Sequence, residues 1–499
     1  MSTSSIGAQS ALAIQQLVAM RNQFNDLQRQ LSSGQKSATY AGLGLDRGVT
    51  VSLNAQLSAL SGYNSTISTV STRIDLMNTA LSRMTDIGST VRQAMVSANS
   101  TSDASGAVTA QTTAQSSLDE LLGLLNTDSS GRYLFSGRAT DTPAVESMDH
   151  ILNGDGARAG LKQLISERTQ ADLGSNGLGR LTVAQPTSTS VSVTEDAGVF
   201  GLKLASANST LTGATVTGPS GSPASLNVDF SGGTPNDGDA VTLRFNLPDG
   251  STENLTLTAT TKSPPGANQF TIGATPAATA ANFQSALSSS IGTLAGTSLT
   301  AASAVAASND FFAADVNNPP QRVDGPPFDT ATGMTAGTAA NTVVWYTGES
   351  GSDSARGTAV AQIDQSISVS YGARADEDGL RNLVQNIATL AAVTVSPSDP
   401  NATGLSLALN QRLSTNLGGT GAQSLTNIAA QLAGAQTSLD AAKTRHQQTG
   451  ATLQDYLQQI SGVSNEDVGA QILALQTRMQ ASMQTTAMLF QTSLVNYLK

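Results

Sequence analysis

The chain has 499 residues, with 25 basic against 36 acidic side chains, 4% aromatic and 12% charged residues, and no cysteine. The missing cysteine excludes disulfide staples, cysteine–zinc sites and thiol catalysis together. The two histidines, His150 and His446, leave one possible histidine pair. A net charge of −11 argues against a nucleic-acid binder, which would show a basic patch. The length suggests about three structural units. No charged leader followed by an apolar stretch opens the chain. No apolar run approaches the roughly 20 residues of a membrane span. The expectation is a protein without a membrane span, exported without a cleaved signal peptide if it is exported.

Position matters more than totals. All 15 prolines lie between Pro143 and Pro400. Residues 1–142 carry 9 basic and 9 acidic side chains, and residues 401–499 carry 5 and 4. The middle therefore holds a net charge of −12. Two near-neutral, proline-free arms flank an acidic insert.

Heptad spacing predicts helices in the arms. Ala13, Leu17, Met20, Phe24, Leu27 and Leu31 form one seam, which stops at Ser32-Ser33-Gly34. Leu60, Tyr63, Ile67, Val70, Ile74, Met77, Leu81 and Met84 form a second, extended by Val91 and Met95. A shorter helix is predicted over about 108–126, with Leu118, Leu121, Leu122 and Leu125 on one face. From about 183 the pattern alternates, and Val191–Val193, Leu226–Phe230, Val241–Phe245 and Leu255–Leu257 read as strands. Pro248-Asp249-Gly250 supplies a turn. Ala277–Ser290 reads as one short helix, and Val343–Tyr346 and Ile367–Tyr371 as strands. In the second arm, Leu425, Ile428, Leu432, Ala435, Leu439, Ala442, His446, Thr449, Leu453, Tyr456, Ile460 and Val463 form a seam over a helix about 55 Å long. Ser464-Asn465-Glu466-Asp467 supplies an N-cap and an acidic first turn for a last helix. There Val468, Met479 and Phe490 recur every eleven residues, as do Ile472, Met483 and Leu494, and Leu475, Thr486 and Tyr497. That period predicts a nearly straight helix.

The fold class expected is α+β. A long antiparallel helical bundle or coiled coil of the two arms carries a β-rich central insert. The divisions are 1–50 (N-terminal helix and connector), 51–142 (bundle helices), 143–370 (insert), 371–463 (bundle helices) and 464–499 (C-terminal helix). A closed intramolecular four-helix bundle satisfies the same periodicity. The outermost helices, however, are apolar or small nearly all round, and such helices are buried or surrounded. Self-assembly packing is therefore expected at Ala13, Leu17, Met20, Phe24, Leu27, Leu31, Val468, Ile472, Leu475, Met479, Met483, Phe490 and Leu494.

No constellation carries catalysis. His446 reads as a polar seam residue rather than a ligand or proton carrier. Asp399-Pro-Asn401-Ala-Thr403-Gly404 begins like a calcium loop, but its twelfth position is Asn410 where a bidentate glutamate is required. Asp376-Glu377-Asp378 reads as the cap of a helix over Leu380–Ala391 rather than a carboxylate pair. Met479, Met483 and Met488 read as apolar packing. No GxxxxGK[ST], GxSxG or HExxH occurs. No enzyme, cofactor or metal is expected.

The N-terminal heptad helix ending in Leu31-Ser-Ser-Gly34 resembles the start of bacterial flagellins. The last helix, Asp467-Val-Gly-Ala-Gln-Ile-Leu-Ala-Leu-Gln-Thr-Arg-Met479 through Phe490-Gln-Thr-Ser-Leu494, resembles their end. Gly131-Arg-Tyr-Leu-Phe-Ser-Gly137, and the return from Val369-Ser-Tyr371 to Asp378-Gly-Leu-Arg-Asn-Leu383, are similar to the hook–filament junction branch of that family. Tyr40-Ala-Gly-Leu-Gly-Leu-Asp46 departs from the polar stretch usual in filament flagellins. The resemblance covers about 1–142 and 366–499. It implies a flagellar structural subunit that joins hook to filament, with filament flagellin as the alternative. It also implies export through the flagellar channel, assembly with its own copies and other axial proteins, and an export chaperone. A secreted coiled-coil effector or translocator is the alternative of another class.

Overall fold

The computed structural model describes residues 3–100, 104–415, 417 and 424–497, with the side chains of 3–7, 9, 10, 489, 490 and 492–497 outside that description. The fold is α+β: long helices at both ends and a β-rich middle. The helices are α1 (Thr3–Ser33), α2 (Arg47–Asn99), α3 (Ser105–Leu125), α4 (Met148–Asn153), α5 (Leu161–Leu173), α6 (Pro276–Leu294), α7 (Thr300–Ala313), α8 (Asp378–Ala392), α9 (Ala402–Leu413), α10 (Leu425–Ser461) and α11 (Asn465–Tyr497). The chain forms two compact units. One comprises residues 1–71, 361–369 and 436–499, and the other 72–360 and 370–435. Thus α2 and α10 contribute to both.

The seam predicted for α2 is the buried one. Ile67, Val70, Ile74, Met77, Leu81, Met84, Val91 and Met95 are all at most 3% exposed. In the larger unit the predicted leucines of α3 are buried too, and α3 packs along α8. The seam of α10 holds through Leu425, Ile428, Leu432, Leu439, Ala442 and His446, all buried. Beyond that point the inward positions become Gly450, Leu453, Leu457 and Ile460, while Thr449 and Tyr456 face solvent. The spacing at Leu439, Ala442, His446 and Gly450 is three, four, four. This is one eleven-residue step, which lets a straight helix keep its face without supercoiling.

The insert is built on two four-stranded sheets. The strands are β1 (Leu181–Thr187), β2 (Ser190–Glu195), β3 (Lys203–Ser209), β4 (Thr215–Ser220), β5 (Ser225–Asp229), β6 (Ala240–Asn246), β7 (Thr252–Thr260) and β8 (Gln269–Thr271). One sheet has the order β1-β2-β5-β4 and the other β3-β6-β7-β8. All pairings are antiparallel except β7 with β8. The inward residues of both sheets and of α6 share one core. At its centre Phe230, Phe270 and Phe283 meet edge to face, with centroids 5.2–6.3 Å apart. Four strands fall where alternation put them. β1, β3, β4 and β8 were missed, and their burial patterns alternate weakly. Two small pieces follow: a ladder of β9 (Arg322–Val323) with β10 (Met334–Thr335), and a hairpin of β11 (Val360–Gln362) with β12 (Ser368–Ser370).

Two expectations need correction. The helix placed at Ala277–Ser290 runs from Pro276, through a π-helical turn at Ala295–Leu299, to Ala313. Thr275 caps it, its side chain accepting from the Ala278 amide at 3.2 Å, and no proline interrupts it before Pro319. At the π turn the Asn401 side chain packs against Gly296, where a Cβ would lie 2.4 Å from Asn401 Nδ2 and that side chain would have to move. The stretch 276–313 is long and apolar enough to cross a membrane by length and composition, contrary to the sequence reading, and half of its most apolar window is buried. Phe283, Leu287, Ile291, Leu299 and Ala302 on it are fully buried in the insert core. The second correction concerns Val343–Tyr346, which forms no continuous strand. Val343 donates to Ala159 O at 3.0 Å, whereas Trp345 O accepts from Glu146 N at 2.9 Å. Two different segments share its backbone, so no ladder propagates.

Trp345 is the sole tryptophan and is fully buried, so its fluorescence reports on the larger unit. Phe283→Ala should lower that unit's stability by about 3–5 kcal/mol, read as a shifted urea midpoint. Val199→Ala, at an exposed residue, should stay within about 0.5 kcal/mol. Equal midpoints for the two variants would remove Phe283 from the core.

Candidate assembly surface

The two chain ends pair. Helix α1 ends at Gly34, whose φ of 69° is a left-handed conformation favouring glycine. Its amide donates to Gln30 O at 2.8 Å. The chain then runs beside the α10–α11 junction: Val463 N donates to Gly34 O at 3.1 Å and Lys36 N to Ser461 O at 2.8 Å. Lys36 Nζ donates to Ile460 O at 2.6 Å, a cation at the negative end of α10. Ser464 Oγ accepts from Asp467 N at 3.3 Å, and Glu466 and Asp467 fill the first turn of α11, as predicted. α1 and α11 therefore lie antiparallel, clamped at this end.

Their seam gathers most of the residues singled out from sequence. Leu27, Val468 and Leu475 are buried together, with Met20, Phe24, Val463 and Ile472 packed against them. Ala13, Leu17 and Met479 are half-buried. Leu31 and Met483 are exposed, at 41% and 49%. The side chains of Phe490 and Leu494 lie outside the described residues. The inward positions of α11 are Val468, Ile472, Leu475, Met479, Ser482 and Thr486. This is three-four spacing, not the eleven-residue period expected. The reason is the partner: α1 presents a seven-residue seam, and a helix following it must keep the same repeat. Ser482 takes the place expected for Met483.

One seam cannot cover two helices. Leu12, Ile14 and Val18 on α1 and Leu473 on α11 are 51–66% exposed, and Met483 joins them. Sequence reasoning missed Leu12, Ile14, Val18 and Leu473 as site residues because it looked only for the seam. Their signal is apolar side chains off the heptad.

The histidine behaves as a polar seam residue. His446 is 3% exposed, with Nδ1 3.3 Å from Asn64 Oδ1 and Nε2 3.4 Å from Asp364 Oδ2. Asp364 also accepts from Arg445 at 2.7 Å, which holds its carboxyl below the usual range. The segment 399–404 leads into α9: Asp399 Oδ1 accepts from Asn401 N at 2.8 Å, and Ala402 begins the helix. The described residues contain no group of three or more potential metal ligands.

The Asp376–Asp378 expectation is corrected. Glu377 is the residue before α8, but its side chain makes no capping bond. It binds Arg356 and the Arg374 amide instead. These contacts lie where the 131–137 segment crosses the return segment. Gly137 N donates to Ala373 O at 3.2 Å, Ala375 N to Phe135 O at 2.9 Å, and Glu349 N to Ser136 O at 2.9 Å. Asp376 lies 3.1 Å from Arg374 Nε, yet burial pushes its carboxyl up to about 6; Arg374 opposes the shift and Glu377 adds to it. Burial also raises the Tyr346 hydroxyl.

Residues 7–140 match the family of the bacterial flagellin N-terminal helical region. The first arm is flagellin-like. No curated protein matches the chain. Among solved structures, the crystal structure of Xanthomonas campestris FlgL is 14% identical, over 81% of this chain and 99% of that one, with a TM-score of 0.25. Overlap that loose carries no argument about function.

Asp376 gives a pH dependence of known sign. Its folded pKa is raised above the ordinary 3.8, so its contribution to stability is present at low pH and lost as pH rises through about 6. Asp376→Asn should therefore be most favourable relative to wild type at pH 7. That difference should shrink between pH 7 and pH 4.5 in Trp345-monitored unfolding. A difference that grows on acidification would reverse the assignment.

Proposed function

We propose that this chain is a structural subunit of the bacterial flagellum, which assembles through its terminal helices and joins hook to filament, in the manner of hook-associated protein 3. The observation that carries the reading is the α1–α11 hairpin, whose two helices bury one seam and leave apolar side chains outside it. The flagellin-like first arm names the assembly in which such a hairpin serves. The junction role rests on Gly131–Gly137 and on the return segment, which cross at the Phe135–Ala375 hydrogen bond. The work is mechanical. Copies pack hairpin against hairpin, other axial proteins meet the ends of the assembly, and the acidic insert takes no part in the hairpin packing.

Within this reading the thirteen residues selected from sequence divide. Leu27, Val468 and Leu475 hold the hairpin itself. Of the thirteen, Met483 is assigned to the subunit contacts, with Phe490 and Leu494 as further candidates, and Leu12, Ile14, Val18 and Leu473 join it from outside that set. Divisions 1–50 and 464–499 form the assembling part, 51–142 and 371–463 the support, and 143–370 the outward face. Export through the flagellar channel without a cleaved leader, with a chaperone, belongs to the same proposal.

The outer-face variant Leu473→Glu should leave helix content unchanged and abolish incorporation into flagella. Leu475→Glu should also unpair the hairpin, read as protease sensitivity near Ser33. Normal motility and incorporation for Leu473→Glu would refute assembly through this face. Deleting Phe490–Lys499 should likewise block incorporation. Immunolabelling decides the place: a single band at the filament base is expected, and staining along the whole filament would make the chain a filament flagellin.

A further inference from the structure

The larger unit contains a cationic recess that the assembly reading does not use. It has a volume of about 20 Å³ and is lined by Arg73, Met77, Arg132, Tyr133, Tyr371 and Gly372 among others, none of them acidic. Arg73 projects from α2. Its guanidinium donates to Tyr371 Oη at 3.2 Å, and its Nε is buried with no hydrogen-bond partner in the protein. Arg132 also lines the recess, at the end of a tight turn. Ser130 and Gly131 both have positive φ there, and Ser129 N donates to Arg132 O at 2.9 Å.

Arg73 is the exception among the half-buried and buried arginines. Arg168, Arg180, Arg322, Arg356, Arg374 and Arg412, with side chains at most 19% exposed, each lie against a carboxylate. Arg73 lies against none among the described residues, in a chain that carries eleven more acidic than basic groups. A guanidinium is always charged and offers five donors in a planar fork suited to a carboxylate.

We propose that the recess between Arg73 and Arg132 receives the carboxylate of an aspartate or glutamate side chain from a second copy of this chain. This rests on the self-assembly reading above. Size and charge limit the ligand: a space of about 20 Å³ lined by two arginines and no acid takes a small anion and not a sugar ring or a nucleotide. Charge selects the source, because the insert of each copy carries the acidic excess. A lone exposed ion pair contributes little, so a free small acid would bind weakly here. An acid held beside the recess by an assembly arrives at high effective concentration.

The test has two arms, both on the full chain. With ¹⁵N-arginine labelling, formate should shift the Arg73 Nε resonance saturably at millimolar concentration, and at least tenfold more weakly in Arg132→Gln. The signal is assigned by its loss in Arg73→Gln. A photocrosslinker at position 132 should, in assembled protein, capture a second copy at a peptide containing Asp or Glu. The concentration needed for assembly should rise at least tenfold in Arg132→Glu. No formate response overturns the recess as a carboxylate site. A formate response with unchanged Arg132→Glu assembly and no crosslink overturns the second copy as its source, while the assembly reading stands. A wild-type chain that never assembles overturns that reading and the proposed source together.

Discussion

The terminal helices of the smaller unit depend on the antiparallel pairing of the two chain ends. Leu27, Val468 and Leu475 can be buried only by each other's helices, and the clamp at Gly34, Lys36, Ser461 and Val463 fixes the register in which they meet. The constraint is geometric. A two-helix hairpin hides one stripe of each helix, and a helix that is apolar beyond that stripe stays incompletely covered. The same register decided the α11 seam, because α1 imposes its seven-residue repeat whatever other periodicities the α11 sequence contains.

Sequence periodicity was legible wherever burial is one-sided and continuous. The α2 seam, the leucines of α3 and the first half of α10 lie where spacing alone put them, because each helix has one persistent neighbour face. Legibility failed where the partner changes. Tyr456 lost its place once the α10 seam took an eleven-residue step after His446. Val343–Tyr346 has strand composition, but its hydrogen bonds divide between two segments. α5 and α9 show weak amphipathic contrast, and at the π turn that continues α6 Asn401, distant in sequence, packs against Gly296. None of these is a local property.

The charged residues show a related limit. Asp376 and Glu377 are adjacent, in a sequence that looks like a helix cap, yet their environments differ. Glu377 is neutralised by Arg356, whereas Asp376 is buried against one poorly aligned arginine and keeps a raised pKa. Proximity in sequence marked the pair, and only the crossing of 131–137 with the return segment separates their roles. Arg73 is the converse case. Nothing in Ser71-Thr-Arg-Ile74 singles it out, and its interest comes from the acids that the fold fails to bring near it.

The composition of the terminal helices supports the view that their outer faces are meant to be covered. Across α1 and α11 only Arg21, Asp26, Arg29, Glu466, Asp467 and Arg478 are charged, in two helices of 31 and 33 residues. Glutamine, serine, threonine and alanine occupy most remaining outer positions. A permanently solvated face would favour charges, which cost several kcal/mol apiece when buried without partners. Uncharged polar and small side chains tolerate water before assembly and close packing after it. The acidic excess lies instead in the insert, outside the terminal helices.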